Sequence, residues 1–277
     1  MSFYIKKTSG EPEEFDAQKL KRSLIIPGAS PELADKIVSF VMRNLNNFPT
    51  TDDIYKFALD MLSDQNPPVA ARYNLKRALL ELGPTGFPFE KFFAEILKAD
   101  GYDVKLNQIV SGWCVDHEID ILYRKDNEQG MIECKFHNIQ FYKTDVQVPL
   151  YTQARFEDIK KTWTPDNVNE KLTDTWIVTN TKFTYDAIKY ANCSGIKMTS
   201  WNYPAKDNLA RLIDKFGLHP ITVLTSLNNK QKQFLMQNGL VLCKDSPSFV
   251  LELKHLGFNS KKIDKILTDA RLTCSLN

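Results

Sequence analysis

The chain has 277 residues, of which 43% are apolar and 25% charged, and a formal net charge of +2. That balance excludes a largely disordered chain, and 11 Gly with 13 Pro excludes a collagen-like or proline-rich one. The small net charge argues against a uniformly basic nucleic-acid binder, but it is unevenly spread: residues 1–84 are net 0, residues 85–205 net −3 and residues 206–277 net +5.

The length suggests two or three domains, and two punctuated stretches mark three segments. These stretches are Gly83-Pro84-Thr85-Gly86-Phe87-Pro88 and Trp201-Asn202-Tyr203-Pro204. The first segment, 1–84, opens with a β-like Phe3-Tyr4-Ile5 and a hairpin turn at Gly10. Helical spacing follows at 16–25, 31–45, 51–64 and 67–82, with Thr51 as N-cap of the third helix. The second segment, 86–205, begins with a helix whose Phe89, Phe92, Phe93, Ile96 and Leu97 share one face and which Gly101 ends. Strands are expected at 102–106, 108–115, 118–123 and 131–136, with the last two joined by a turn over 125–130. A helix at 145–162, a buried strand at 175–179, a helix at 184–192 and a strand at 196–200 complete a mixed α/β layer structure. The third segment, 206–277, is helical by pattern, with Gly217, Gly239 and Gly257 between its turns. The fold class is therefore α/β and multidomain: a mainly helical N-terminal domain, a central mixed sheet flanked by helices, and a C-terminal helical domain.

Five cysteines, an odd number without a CxxC pair, read as reduced thiols. Cys114, His117, Cys134 and His137 lack the spacing of a compact zinc knuckle, and both histidines read as hydrogen-bonding supports. The N-terminus has no apolar core of a signal peptide, and no window approaches a membrane span. The expected setting is cytoplasmic, without membrane association.

The chemistry concentrates in His117-Glu118-Ile119-Asp120-Ile121-Leu122 and Ile132-Glu133-Cys134-Lys135-Phe136. Strand alternation puts Glu133 and Lys135 on one face and Cys134 on the other. Asp120, between two apolar neighbours, should leave their shared face and meet Glu133 and Lys135 across a hairpin. Two carboxylates suit Mg²⁺ or Mn²⁺, which favour oxygen ligands. Such an ion activates water and stabilises charge on a phosphoryl oxygen, and a lysine beside it offsets developing charge.

Asp120 followed by Glu133-Cys134-Lys135 resembles the Asp…(Asp/Glu)-x-Lys signature of restriction-endonuclease-like nucleases, nearest the Mrr-type and Holliday-junction-resolvase-like branch. A preceding Phe89-Glu90 helix, the following Gly101-Tyr102, and a later helix carrying Gln153 agree with it. The resemblance, over residues 86–203, implies Asp120, Glu133, Lys135 and Gln153 as the catalytic set. It implies Asp120 and Glu133 as metal ligands, with Glu90 and Glu118 beside them.

Residues 3–82 resemble an ATP-cone, the nucleotide-sensing domain of many ribonucleotide reductases. The resemblance rests on Lys6-Lys7, Gly10, Phe15-Asp16, Lys19-Leu20, Arg22-Ser23, Ala70-Ala71-Arg72-Tyr73 and Lys76-Arg77-Ala78. Here Lys-Thr-Ser-Gly replaces the usual Arg-Asp-Gly turn. The likeness implies nucleotide contacts from Lys6, Lys7, Glu13, Asp16, Lys19, Arg22 and Thr51, with ATP or dATP as allosteric effector. Leu256-Gly257-Phe258 through Leu267 resembles the second half of a helix-hairpin-helix unit, which would offer Lys261, Lys262 and Lys265 to DNA phosphates.

Together these readings describe a DNA endonuclease of restriction or defence type, dependent on divalent metal, homo-oligomeric and controlled by nucleotide. The alternatives are a nucleotide-responsive DNA-binding regulator without catalysis and a junction-resolving repair nuclease.

Overall fold

The computed structural model describes residues 4–7, 10–126, 128–163, 171–244 and 246–274. Phe3, Thr8, Ser9 and Asn127, named above, lie outside them, as does the side chain of Cys274.

A small hairpin, β1 (Tyr4–Lys6) with β2 (Pro12–Glu14), leads into four helices: α1 (Ala17–Ile25), α2 (Pro31–Arg43), α3 (Thr51–Gln65) and α4 (Pro67–Leu80). Leu24, Ile37, Val41, Ile54 and Leu62 bury together in their own core. The N-cap of α3 falls one residue earlier than expected. Thr50 is the N-cap, closing a reciprocal box with Asp53, and Thr51 is the first helical residue.

Helix α5 (Phe87–Ala99) buries the expected Phe89, Phe92, Phe93, Ile96 and Leu97 stripe. The central sheet follows: β3 (Asp103–Ser111), β4 (Asp116–Lys125), β5 (Glu128–Lys135), β7 (Lys171–Thr179) and β9 (Lys197–Thr199), in the order β3-β4-β5-β7-β9. Its first three strands are antiparallel and β5, β7 and β9 are parallel. The β4–β5 connection is tighter than expected. Gly130 lies inside β5 rather than in the turn, because the Tyr123 ring covers it and leaves no room for a Cβ. A two-residue pair, β6 (Lys143–Thr144) with β8 (Lys182–Phe183), lies beside the sheet.

Helix α6 (Gln147–Thr162) packs on one face through Phe156 and Ile159 against Ile119, Met131 and Leu172. Helix α7 (Tyr185–Ser194) packs through Ala187 and Ala191 against Ile177 and Met198. Helix α5 covers the other face. There α8 (Leu209–Phe216), α9 (Asn229–Gln237), α10 (Pro247–His255) and α11 (Ser260–Cys274) share its core. Ile221, Phe249, Leu253 and Ile266 bury against the same cluster as Phe89, Phe93 and Ile132. Helix α4 belongs to both cores, with Val69 and Ala70 turned to the N-terminal one and Leu75, Ala78 and Leu79 to the main one. Residues 206–274 thus cover the sheet layer rather than forming a separate core. Among the described residues, no helix is long and apolar enough to cross a membrane.

Candidate active site

The site begins where two strands part. Strand β4 pairs with β5 only as far as Ile121–Ile132, yet it continues alongside β3 to Asp116. Beyond that fork, the Asp120 carboxylate accepts the Cys134 backbone N–H at 2.7 Å, taking the role a ladder carbonyl would otherwise fill.

The alternation expected around Asp120 is broken. Ile121 sits in the α5-side core with Ile132 and Cys134, whereas Ile119 sits in the α6-side core with Met131 and Phe156. The β3–β4 ladder also lapses here, between Leu106–Ile121 and Gln108–Ile119. Opposite Asp120, Asn107 adopts a left-handed φ of 50°, a conformation that Asn tolerates better than most residues. The apolar neighbours therefore leave for different layers, and Asp120 occupies the point of crossing, the kind of re-aiming that bulges provide.

Glu133 and Lys135 do share a face, and Cys134 is buried on the opposite side. Glu133 is only 5% exposed. Its Oε1 accepts from Lys135 Nζ at 2.8 Å and Tyr151 Oη at 2.9 Å, and its Oε2 pairs with the Arg155 guanidinium. Burial works against the Lys135 ammonium, but its bonds to Glu133 and Tyr151 outweigh that and hold its pKa above the ordinary lysine value. Tyr151 and Arg155 are functional candidates that the sequence reading missed.

Gln153 donates to Glu157 at 3.0 Å, one turn along α6, and is not among the residues that line the groove at Glu133. The buried face of α6 carries Pro149, Thr152, Phe156 and Ile159. At ~100° per residue, Tyr151 and Arg155 flank that face on one side and Gln153 on the other.

Glu90 stands on α5 with its Oε1 close to Gly86. Burial raises its carboxyl to about 7, and the charges of Asp120, Glu118 and Glu133 add to the shift. Asp120 is pushed to about 6 by burial and then by Glu133, against the opposing Cys134 N–H. Asp120, Glu118 and Glu133 thus bear on Glu90, and Glu133 on Asp120, and all four offer oxygen donors, which suit a hard cation. Among the described residues, however, no three of them are gathered closely enough to hold a metal ion. Glu133 in particular is turned onto Lys135 and Arg155.

A groove runs from Glu133 and Lys135 past Tyr151 and Arg155 to Cys114, His117 and Asp158. His117 Nε2 meets Asp158 at 2.9 Å, and His137 Nε2 meets Thr144 Oγ1 at 3.0 Å, so each histidine makes a local hydrogen bond. Among the described cysteines none forms a disulfide; Cys134 and Cys243 are buried and Cys114 and Cys193 exposed.

A second cavity, of about 410 Å³, lies in the N-terminal segment. Of the residues named from the cone resemblance, Lys7, Glu13, Asp16, Lys19 and Thr51 line it, while Lys6 and Arg22 do not. Lys6 follows the buried Ile5 in its strand and so points away to solvent. Arg22 is likewise exposed, and its neighbour Ser23 lines the wall instead. Asp16 spends its carboxylate capping α1 at Gln18 and Lys19 N–H. Glu13 is held low first by its bond to Lys19. Tyr55, Tyr73, Lys76 and Arg77 also line it, with Arg77 lying 3.5 Å over the Tyr55 ring, and Gln140 and Phe141 of the loop after β5 reach it from the central segment.

Sequence comparison places this geometry. A family described as restriction endonuclease matches residues 83–205, and one described as AF1548-like, C-terminal, matches residues 219–274. An uncharacterized protein of Archaeoglobus fulgidus is 41% identical over 179 residues, spanning 64% of this chain and 97% of its own length. The chain belongs to the AF1548-like family. The crystal structure of the protein of unknown function AF1548 is similar with a TM-score of 0.57 and 38% identity, covering 69% of this chain and 98% of that one. In this AF1548-like chain, the fork, the groove and the carboxylate patch all fall within the restriction-endonuclease-like domain. Both family matches begin after the helices that form the second cavity.

Proposed function

We propose that the chain is a metal-dependent DNA endonuclease acting through Asp120, Glu133 and Lys135. The observation that supports this reading is the parting of β4 from β5, at which Asp120 turns onto the Cys134 N–H beside Glu133 and Lys135, while the charges of Asp120 and Glu133 bear on Glu90 of α5. Isolated surface ion pairs need no such crowding, and it costs stability that a scaffold has no reason to spend. Asp120 and Glu133 would hold the ion, with Glu90 and Glu118 as neighbours, and the ion would supply an activated water and charge neutralisation at the phosphate. Lys135 offsets charge at the phosphoryl oxygens. Arg155 and Tyr151 fix the Glu133 carboxylate, and Arg155 becomes available to a phosphate when Glu133 turns to a cation.

The N-terminal cavity supports a nucleotide as effector. Lys7, Lys19, Lys76 and Arg77 offer cations to phosphates, and Tyr55 and Tyr73 offer rings to a base. The exposed Lys261, Lys262 and Lys265 on α11 suit DNA phosphates away from the cut. The test is conversion of supercoiled plasmid to open circles with Mg²⁺, with Mn²⁺ and in excess chelator, with ATP or dATP added. Metal-dependent nicking lost in Asp120→Asn supports the proposal; equal nicking in chelator contradicts it. ATP or dATP that binds without altering the rate removes the effector reading alone.

A further inference from the structure

The tip of the β3–β4 hairpin carries an exposed tryptophan that the catalytic reading does not use. Trp113 is 69% exposed, and Val115 beside it 59%. Exposed hairpin tips are ordinarily polar and mobile, but this one is tied down. Asp158 on α6 accepts the backbone N–H groups of Cys114 at 3.0 Å and of Val115 at 3.4 Å, as well as the His117 ring nitrogen. The Asp158 carbonyl takes the Trp113 N–H at 3.1 Å. Gly112 lets the turn close, since a Cβ there would strike Asp158 Oδ2 and the Val115 carbonyl. The chain thus holds a large aromatic ring in water on a fixed mount.

The mount faces the site. Cys114 and Val115 line the same groove as Glu133, Lys135 and Arg155, and the Lys161 charge acts on Cys114 from the next turn of α6. Lys135 and Arg155 in the groove, balanced there by Glu133 and Asp158, offer cations to a strand of phosphates whose base face could meet the fixed ring. The exposed side chains of β3 alongside are Asp103, Lys105, Asn107 and Ser111, with Ile109 as the one apolar exception, and the DNA-nuclease reading favours a nucleic acid over a protein partner.

We propose that Trp113 stacks on a base at a break in the DNA helix, so that the preferred substrate is a duplex interrupted by a bulge, flap or branch. The inference rests on the DNA-nuclease reading and names its substrate class. A ring can stack on a base already out of register at little cost, whereas uninterrupted duplex must first be unstacked.

The test is equilibrium binding of the full chain, in chelator so that nothing is cut, to a labelled uninterrupted duplex and to the same duplex with a two-nucleotide bulge carrying 2-aminopurine. The wild type is expected to favour the bulged duplex by about tenfold, in the range stacking supplies. Trp113→Ala should lose that preference and the change in 2-aminopurine emission, with duplex affinity within about twofold of wild type, given the outward position of the ring. Trp113→Phe should keep most of both. Unchanged preference in Trp113→Ala overturns the proposal. So does a wild-type dimer in sedimentation that Trp113→Ala turns into monomer without altering DNA binding, because the tip would then join two copies. A wild type that binds neither DNA removes the nuclease reading as well, whereas equal binding to both removes only the role of Trp113.

Discussion

At Glu133, one buried carboxylate is held by a lysine, an arginine and a tyrosine, while burial and neighbouring carboxylates raise the pKa values of Glu90 and Asp120 against the weaker pull of Lys135. The two raised carboxyls make a prediction with a definite sign. A carboxyl whose folded pKa lies above its unfolded one binds protons on folding, so its contribution is complete at low pH and is lost as pH rises through the folded value. For Asp120 and Glu90 that window runs from about 4 to about 7. Replacing Glu90 by Gln should therefore stabilise the metal-free protein at pH 8, by about 1 kcal/mol after allowing for partial solvent screening, and change little at pH 4. Urea unfolding in chelator at the two pH values measures it. An equal gain at both would mean that the Glu90 charge is not the cause. The same residues show the limit of reading a sequence. Glu133 and Lys135 were legible because alternation is a local property of a strand. Tyr151 and Arg155 were not, because the phase of α6 is set by which of its faces is buried, and the polar Thr152 lies on that face.

Among the elements, the junction after β5 holds the layers together. Asn180, 1% exposed, donates to the Leu79 carbonyl at 3.2 Å and the His137 carbonyl at 2.8 Å, and accepts from His137 N–H at 2.9 Å. One amide thus links the end of α4, the exit of the Glu133–Lys135 strand and the loop after β7. Asn180→Ala strands three backbone groups in a buried place, at a cost of about 2–4 kcal/mol. A fall in thermal midpoint of several degrees, with hydrogen exchange quickened first at His137, is the expected result. A midpoint unchanged within a degree would show that water replaces the amide freely. The stripe on α5 was readable from periodicity, and so were β4, β5, β7 and β9; the two strands expected at 102–106 and 108–115 are instead the single β3, Asp103–Ser111, because Asn107 turns left-handed without ending the strand. The crossing of Asp120 was not readable, because it depends on Asn107 of the neighbouring strand taking a left-handed conformation, and no spacing within β4 records that.

Across the whole molecule, the uneven charge has a structural setting. The described residues of the basic segment 206–277 do not stand apart. Ile221, Phe249, Leu253 and Ile266 close over Phe89 and Phe93, and Thr222 donates to the Ala78 carbonyl at 2.7 Å. The helical pattern of this segment was legible, but its sharing of a core with α4 and α5 was not, since an apolar face does not name its partner. Deleting the segment would uncover the sheet layer, so the proposal that it binds DNA is better tested at its surface. Lys261, Lys262 and Lys265 are exposed, with Lys262 Nζ lying 4.1 Å over the Phe258 ring. If they meet phosphates, the triple alanine variant should bind DNA with a salt slope shallower by about 2–3, at ~0.9 per phosphate contact, and with an unchanged thermal midpoint. An unchanged slope would move the electrostatic contact elsewhere on the molecule. The central claim is that the patch where β4 parts from β5 cuts DNA. Its most direct test is plasmid nicking in Mg²⁺ by the wild type beside Lys135→Ala and Glu133→Gln, each first shown to be folded. The account predicts metal-dependent nicking by the wild type and a loss of at least a hundredfold in both variants; nicking at the wild-type rate by either folded variant would contradict it.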